Sequence, residues 1–257
     1  MLFDIDGVIR DVSGSYRRAL QATVEHYSGW LPAPSCIDAL KGEGRWNNDW
    51  DASLELLRRH GASLPVRRDL IDVFSDFYFG GDPDGDPGAW MGYISDEPLL
   101  VQRDFFDALD QNGWCWGFVS GAEPPSARFV LQKRLGLVNP PLIAMGDAPD
   151  KPDPAGLVQL SDSLLPCTSG GVVAYLGDTV ADVQTILNAR IQRPDRHWIS
   201  LAVSPPHLLP GSEERSVYEQ QLMAAGADLV LSSTEAALQW SMDCNGSERQ
   251  GHARSVR

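Results

Sequence analysis

Acidic side chains follow apolar stretches at two places along the chain. The chain opens MLFDIDGV, so that Asp4 and Asp6 come directly after three apolar residues. A later apolar run ends at Ser120, and another ends at a Gly-Asp pair that contains Asp178, with Asp182 one helical turn further on. Carboxylates at the ends of buried strands are costly unless they are paired or bound to a metal ion. These spacings therefore predict a charged site rather than a set of ordinary turns.

Four carboxylates brought to one place would repel each other, and a hard divalent cation would relieve that repulsion. Mg²⁺ favours a few carboxylates together with water and phosphate oxygens. The hydroxyl group of Ser120 suits a phosphate oxygen, and Lys151 in the segment GDAPDKPDP supplies a mobile cation for the same group. A cation and a lysine that neutralise charge on a transferred group favour phosphoryl transfer.

The Asp-x-Asp spacing has a chemical use in such a site. One carboxylate can attack phosphorus and form an aspartyl-phosphate. A second carboxylate, when protonated, can give its proton to the leaving alcohol and later deprotonate water. Two side chains from one strand end, Asp4 and Asp6, can divide these roles.

The elements that would position these residues alternate between strands and helices in the second part of the chain. Such alternation predicts a parallel sheet with right-handed crossovers, and ligands of open α/β sheets bind beyond the carboxyl ends of the strands. We expect residues 1–9 to form a short strand that runs into a turn at Gly7. Further strands are expected over 114–119, 142–145, 172–176, 198–203 and 229–231, and helices over 99–111, 125–135, 181–189, 217–225 and 234–242.

The first part of the chain after residue 11 reads as helical. We expect Ser15 to cap a helix over 16–27, a loop through 29–35, and helices over 52–60 and 70–79. The segment 80–92, GGDPDGDPGAWMG, reads as a linker. Its three aspartates mimic the start of a calcium loop, but the twelfth position is Tyr93 rather than Glu, which favours a turn with solvated acids.

The fold class predicted is therefore α/β: a Rossmann-like core with a central parallel sheet and an inserted α-helical cap. We expect the core to comprise residues 1–11 and 93–243, and the cap with its linker to comprise residues 12–92. The polar residues 244–257 are expected to be a disordered tail.

Four motifs together resemble those of the haloacid dehalogenase superfamily of phosphohydrolases. They occur in the usual order and read LFDIDGV, GFVSG, Lys151-Pro-Asp-Pro, and Gly-Asp178-Thr-Val-Ala-Asp182. A helical insert between the first and second motif is typical of the subgroup that includes phosphoglycolate phosphatase and beta-phosphoglucomutase. The second aspartate of the first motif, Asp6, favours phosphate chemistry, because dehalogenases lack it.

The resemblance implies a role for each motif residue. Asp4 would be the nucleophile and Asp6 the general acid and base. The Asp4 carboxylate, the Asp6 backbone carbonyl and Asp178 would hold Mg²⁺. Phosphoryl-group binding would fall to Ser120, with Gly121 behind it, and to Lys151, while Asp182 would support the metal or position Lys151.

Substrate choice is expected to lie in the cap segment KGEGRWNNDWD. Its Lys41, Arg45, Asn47 and Asn48 could reach the leaving group of a substrate when the cap closes. The alternative is an ordinary loop between helices in which Asn48 or Asp49 caps the next helix.

The sequence predicts a Mg²⁺-dependent phosphatase for a small phosphorylated metabolite. Two alternatives stay open: a phosphomutase, which shares every core residue, and a catalytically silent binding protein on the same fold. Retention of the whole set of charged motif residues argues against the silent protein.

Composition narrows the choice of partners. The net charge of −14 disfavours nucleic acid and anionic membranes. The four cysteines are scattered and read as reduced thiols, and no apolar run approaches the ~20 residues that span a bilayer. We therefore expect a cytoplasmic protein, a monomer or a homodimer, that binds neither nucleic acid nor membrane.

Overall fold

A computed structural model describes residues 1–165 and 171–244. The part of the predicted tail from 245 onwards therefore lies outside the described residues, as does Cys167. Among the described residues, no helix has the length and apolar character needed to cross a bilayer. Cys36 and Cys115 are thiols.

Six parallel strands form one sheet in the described part of the chain, in the order β3-β2-β1-β4-β5-β6. The sheet consists of β1 (Leu2–Phe3), β2 (Gly117–Val119), β3 (Leu142–Ile143), β4 (Val172–Gly177), β5 (His197–Val203) and β6 (Leu229–Leu231). This confirms the predicted α/β class.

Helices cover both faces of the sheet because its central strands are apolar on both sides. Phe3 packs into a core cluster with Phe106 and Phe118, and Leu2 points to the other face, into a cluster with Leu157 and Ile186. The covering helices are α5 (Arg103–Gln111), α6 (Pro124–Arg128), α7 (Ala155–Leu164), α8 (Val180–Gln192) and α9 (Glu213–Ala225), and residues 236–244 are also helical.

A helical region between β1 and α5 has its own apolar core. It contains α1 (Tyr16–Ser28), α2 (Pro34–Lys41), α3 (Asp49–His60) and α4 (Arg67–Tyr78). Buried side chains recur at helical spacing in α1 and pack against Leu56, Phe74 and Tyr78. An α/β sheet with an inserted helical region agrees with the predicted core and cap.

Several local predictions need correction. The loop expected through 29–35 ends early, because α2 begins at Pro34, and a proline is tolerated in the first turn of a helix. Within 1–9 the strand is limited to β1, and the turn expected at Gly7 is closed by hydrogen bonds from the Ile9 and Arg10 amides to the Ile5 carbonyl. Ser15 does not cap α1 with its side chain; its hydroxyl group donates to Glu97 instead.

Two helices in the core also differ from the prediction. The helix expected from residue 99 begins at Arg103. The residues before it form backbone hydrogen bonds with residues 4–15, which are the first connection between the sheet and the helical region. The helix expected over 125–135 is α-helical only to Arg128 and continues as a π-helical turn over Phe129–Arg134.

The segment 80–92 is a closed loop with acids that hold its turns. Asp82 accepts a hydrogen bond from the Asp84 amide, and Asp86 accepts one from the Gly88 amide, as the turn interpretation predicts. The loop closes where the Gly92 amide donates to the Phe79 carbonyl at 2.8 Å.

Substitution of Gly92 by alanine is expected to destabilise the protein. A Cβ atom at this position would lie 2.3 Å from the Tyr78 carbonyl oxygen, and backbone cannot move aside as a side chain can. We expect the free energy of unfolding to fall by about 1–3 kcal/mol, measured by urea denaturation. Gly14→Ala is the matched control, since a Cβ there meets nothing within 4 Å. Equal stabilities of the two variants would contradict the prediction.

Candidate active site

The first motif places Asp4 at the carboxyl end of β1. The Asp4 amide donates to the Leu176 carbonyl of β4 at 2.9 Å, and its carboxylate accepts from the Ile5 amide at 2.8 Å. Gly7 then turns the chain with φ of +73°, and a Cβ atom there would lie 2.0 Å from the Asp178 carboxylate. The glycine of the motif is thus required by both the turn and the close approach.

Lys151 lies beside Asp4 with its ammonium group fully engaged. Nζ is 2.9 Å from Asp4 Oδ2, 2.6 Å from Asp182 Oδ1 and 2.8 Å from Tyr175 Oη. These three acceptors match the three protons of an ammonium group. Lys151 is buried, so these three side chains rather than water satisfy its ammonium group and hold it in place.

Asp182 is held from both sides. One oxygen accepts from Lys151, and the other accepts from the Thr179 amide at 3.0 Å and the Thr179 hydroxyl at 2.6 Å. The second pair of contacts belongs to a capping box at the start of α8. Both carboxylate oxygens of Asp182 thus accept hydrogen bonds within the protein, and one of them helps to hold Lys151.

The three aspartates of the site differ in their pKa because their neighbours differ. Burial raises the pKa of Asp4 to about 6, although Lys151 opposes the shift. Burial, together with the negative charges of Asp182 and Asp4, raises the pKa of Asp178 well above its usual value. Burial also acts on Asp182, but the ion pair with Lys151 and the bonds from Thr179 outweigh it and lower the pKa.

The residues fit a divalent cation. One carboxylate oxygen from each of Asp4, Asp178 and Asp182 lies within 4.8 Å of the others. Lys151 supplies one positive charge against these three, and no side chain among the described residues donates a hydrogen bond to the Asp178 carboxylate. A buried carboxylate without such a partner requires a counterion or a proton.

The second motif places Ser120 at the carboxyl end of β2. Its amide donates to the Ile143 carbonyl at 2.9 Å, and its hydroxyl oxygen accepts from the Ala122 amide at 3.2 Å. Ser120 and Gly121 line the same cavity as Asp4 and Asp6. The strand order explains why Ser120, Asp4 and Asp178 lie together. They follow β2, β1 and β4, and both β2 and β4 neighbour β1 in the sheet.

The cavity between the helical region and the sheet edge has a volume of about 70 Å³. The helical region closes it from above, with the segment 41–48 in contact with α8 through Gly44 and with Gly121 through Asn47. From the helical region and the first connection, its lining comprises Val12, Tyr16, Arg17, Lys41, Asn47, Asp49 and Trp50.

The four predicted substrate-binding residues of the cap have different surroundings. Lys41 and Asn47 line the cavity, and Lys41 forms a 2.7 Å ion pair with Asp49. Asn48 caps α3 by accepting from the Trp50 and Asp51 amides, as the alternative interpretation expected, and it lines a neighbouring crevice beside Lys151. Arg45 is exposed, bound to Glu43, and does not line the cavity.

Sequence reasoning missed Tyr175 and Arg10. Tyr175 is buried in β4, donates to the Val119 carbonyl at 2.9 Å and accepts from Lys151. Arg10 is fully buried and forms an ion pair with Asp6 at 2.6 Å. Each of the two residues lies within an otherwise apolar stretch of the sequence. Because buried polar groups need hydrogen-bond partners, this pattern could have indicated two further polar contacts inside the protein.

This arrangement defines a class of protein: an open α/β sheet with an acidic cluster at its carboxyl edge that could hold a cation, and an inserted helical region beside it. Residues 1–190 match the family model of haloacid dehalogenase-like hydrolases. The chain therefore belongs to this family, and the resemblance predicted from the four motifs is confirmed.

Solved structures with the same fold include proteins of the predicted subgroup. A putative beta-phosphoglucomutase from Thermotoga maritima aligns with a TM-score of 0.57 at 16% identity, covering 93% of this chain and 95% of that one. A putative phosphoglycolate phosphatase from Lactobacillus plantarum aligns with a TM-score of 0.58 at 14% identity, covering 93% and 96%. At these identities the likeness concerns the fold.

A curated relative matches in sequence. Imidazoleglycerol-phosphate dehydratase from Phytophthora nicotianae is 29% identical over 192 residues, which is 71% of this chain. The present chain spans 40% of that protein's length.

A pH-dependent change in stability is expected from Glu123, which follows the second motif. Burial raises the pKa of Glu123 from 4.5 to about 7, against a weak hydrogen bond from Tyr16 at 3.4 Å. Between these values the folded protein holds a proton that the unfolded chain has released. The free energy of unfolding therefore decreases as the pH rises through this window.

Glu123→Gln removes this dependence. Relative to wild type, the variant should gain about 1–3 kcal/mol at about pH 8 and little at about pH 5, measured by urea denaturation. Glu214→Gln, at an exposed glutamate, is the control. A gain that is constant with pH would contradict the assignment to Glu123.

Proposed function

We propose that the protein is a Mg²⁺-dependent phosphatase that hydrolyses a small phosphate monoester through an aspartyl-phosphate. The observation that carries the proposal is the buried contact of Asp4 with Lys151, beside Asp178 and Ser120, in a chain of the haloacid dehalogenase-like hydrolase family. This set joins a nucleophile, a cation for phosphoryl oxygens and ligands for a metal ion.

Mg²⁺ would be held by the Asp4 carboxylate, the Asp6 backbone carbonyl and Asp178, and when bound it would neutralise phosphoryl oxygens. The Asp4 carboxylate forms the bond to phosphorus, and the bond between phosphorus and the leaving oxygen breaks. Asp6, whose side chain is 25% exposed at the cavity, gives its proton to that oxygen. Asp6 then takes a proton from the water that releases inorganic phosphate from Asp4.

Lys151 and Ser120 bind the phosphoryl group in this proposal. In the structure the ammonium protons of Lys151 go to Asp4, Asp182 and Tyr175. When Asp4 becomes an acyl phosphate it loses its negative charge, so the proton directed at Asp4 becomes free for a phosphoryl oxygen. Asp182 and Tyr175 hold the nitrogen in place meanwhile.

The cavity supports a small ester rather than a sugar bisphosphate. The two cations that the helical region contributes are already paired, Lys41 with Asp49 and Arg17 with Asp38. A second phosphate would have to displace one of these carboxylates, which disfavours the phosphomutase alternative.

The decisive experiment is phosphate release from a panel of small phosphate monoesters, with and without Mg²⁺. The panel includes an imidazole-bearing ester, because the curated relative's name contains imidazoleglycerol phosphate. We expect turnover that requires Mg²⁺ and falls at least about 1,000-fold in Asp4→Asn, since the nucleophile is lost. Asp195→Asn, at an exposed aspartate away from the cavity, is the control and keeps wild-type rates.

Other outcomes identify the alternatives. Phosphorylated enzyme with little phosphate release would favour a mutase. Wild type as inert as Asp4→Asn on every ester, together with retained Mg²⁺ binding, would favour a silent binding protein.

Tyr175→Phe tests the placement of Lys151. The variant keeps the ring but removes one acceptor of the ammonium group, so Lys151 gains freedom to move. We expect kcat on the best ester to fall about tenfold with little change in KM, since misplacement acts on the transition state. Tyr27→Phe, at a half-buried tyrosine of α1, serves as the control. An unchanged kcat in Tyr175→Phe would show that Lys151 is placed by the two aspartates alone.

A further inference from the structure

Arg10 lies between two carboxylates inside the protein. Its Nε donates to Asp6 Oδ1 at 2.6 Å, and its Nη1 donates to Glu97 Oε2 at 2.9 Å. The arginine and Glu97 side chains are fully buried, whereas the Asp6 side chain is 25% exposed. Arg10 thus connects an interior carboxylate with one that faces the cavity.

The backbone of the first motif brings Arg10 back beside Asp6. The Gly7 amide donates to the Arg10 carbonyl at 2.9 Å, and the Ile9 amide donates to the Ile5 carbonyl at 2.7 Å. This tight turn places residues four apart next to each other. The contact between Arg10 and Asp6 therefore follows from the same turn that presents Asp4.

Charge balance alone does not account for both contacts. The Glu97 carboxylate alone carries enough charge to neutralise the guanidinium group. Hydrogen bonds from the Ser15 and Tyr78 hydroxyl groups hold this carboxylate in place. Arg10 Nε nevertheless donates a hydrogen bond to one carboxylate oxygen of Asp6. The other carboxylate oxygen of Asp6 has no hydrogen-bond donor among the described residues. The result is a carboxylate fixed by one oxygen, on a residue that lines the cavity.

Glu97 lies on the second connection between the helical region and the sheet. The two connections pair directly: the Asp11 amide donates to the Pro98 carbonyl at 2.8 Å, and the Leu100 amide donates to the Ile9 carbonyl at 2.9 Å. The orientation of Arg10 is thus set by both connections together.

We propose that Arg10 is a positioning residue for Asp6, which it holds by one carboxylate oxygen so that the other faces the leaving-group oxygen of the substrate. The inference rests on the proposed function, in which Asp6 is the proton donor. It predicts that loss of Arg10 lowers kcat/KM most for esters whose leaving group needs a proton, and least for esters whose leaving group departs without one.

The test compares two esters in one set of variants. 4-Nitrophenyl phosphate has a leaving group that needs little protonation, whereas an alkyl phosphate needs a proton donor. Removal of Arg10 alone would leave Glu97 buried without a counterion, which is strongly destabilising, so the main variant is Arg10→Met combined with Glu97→Gln. Glu97→Gln alone keeps the contact between Arg10 and Asp6 and is the matched control, and Asp6→Asn is the reference for a lost donor.

The ratio of kcat/KM for the two esters is measured, because this constant reports phosphoryl transfer to Asp4 and not the later hydrolysis. We expect the double variant to lose about 100-fold on the alkyl ester and less than about fivefold on the aryl ester, following Asp6→Asn. Glu97→Gln should keep the ratio within about twofold of wild type. Arg10→Lys keeps the charge without the fork of donors, and it gives the same comparison if the double variant does not fold.

The possible failures are distinguishable. Equal losses on both esters in the double variant would overturn the role of Arg10 while leaving the phosphatase intact. A wild-type protein that hydrolyses neither ester would overturn the proposed function, and the inference with it.

Discussion

The ion pair of Lys151 with Asp4 and Asp182 is the interaction on which the site depends. A parallel sheet directs the ends of its strands to one edge, so the residues that follow them converge there, whatever their charge. Here they are carboxylates, and burial alone would favour their protonated forms. Lys151 supplies the charge that lets Asp182 stay ionised and limits the rise in the pKa of Asp4. Asp178 lacks such a cationic partner among the described residues, and with Asp4 and Asp182 it forms an acidic cluster that could hold a cation.

The charged residues are held in a defined order of support. Thr179 holds Asp182 through the capping box of α8, Asp182 and Tyr175 hold Lys151, and Lys151 contacts Asp4. Asp182 belongs to α8 and Tyr175 to β4, Asp4 directly follows β1, and Lys151 lies in a turn, with all four side chains buried. The location of the Asp4 carboxylate is therefore tied to the sheet through β1, β4 and α8.

The site residues that could be predicted from the sequence are those that directly follow strands. The alternation of strands and helices predicts a parallel sheet whose carboxyl ends share one edge, which brings Asp4, Ser120 and Asp178 together. Lys151 was predicted as a cation for the same site, and the family resemblance gave it a motif. Tyr175 and Arg10 could not be predicted in the same way, since their partners depend on which side chains the sheet and the paired connections bring within 3 Å.

Much of the fold could likewise be predicted from the sequence, including the α/β class and the helical insert. The start of α2 was missed because a proline-rich stretch reads as loop, although its Ile37 and Leu40 complete the core of the helical region. Ser15 has the residue type of a helix cap, but a buried carboxylate on Glu97 competes for its hydroxyl group. In both cases a tertiary contact overrides a local preference.

The pairing of the two connections has a mechanical consequence. A body joined to another by two separate tethers can twist, slide and tilt. Here the residues on both sides of Arg10 in the first connection are hydrogen-bonded to the second connection, so the two connections form one paired segment. The helical region is therefore joined to the sheet through one hydrogen-bonded pair of segments rather than through two independent connections. His207, in the loop between β5 and α9, contacts Asp38 of α2 at 3.1 Å, so a side-chain contact far from the paired connections in sequence also ties the helical region to the sheet domain.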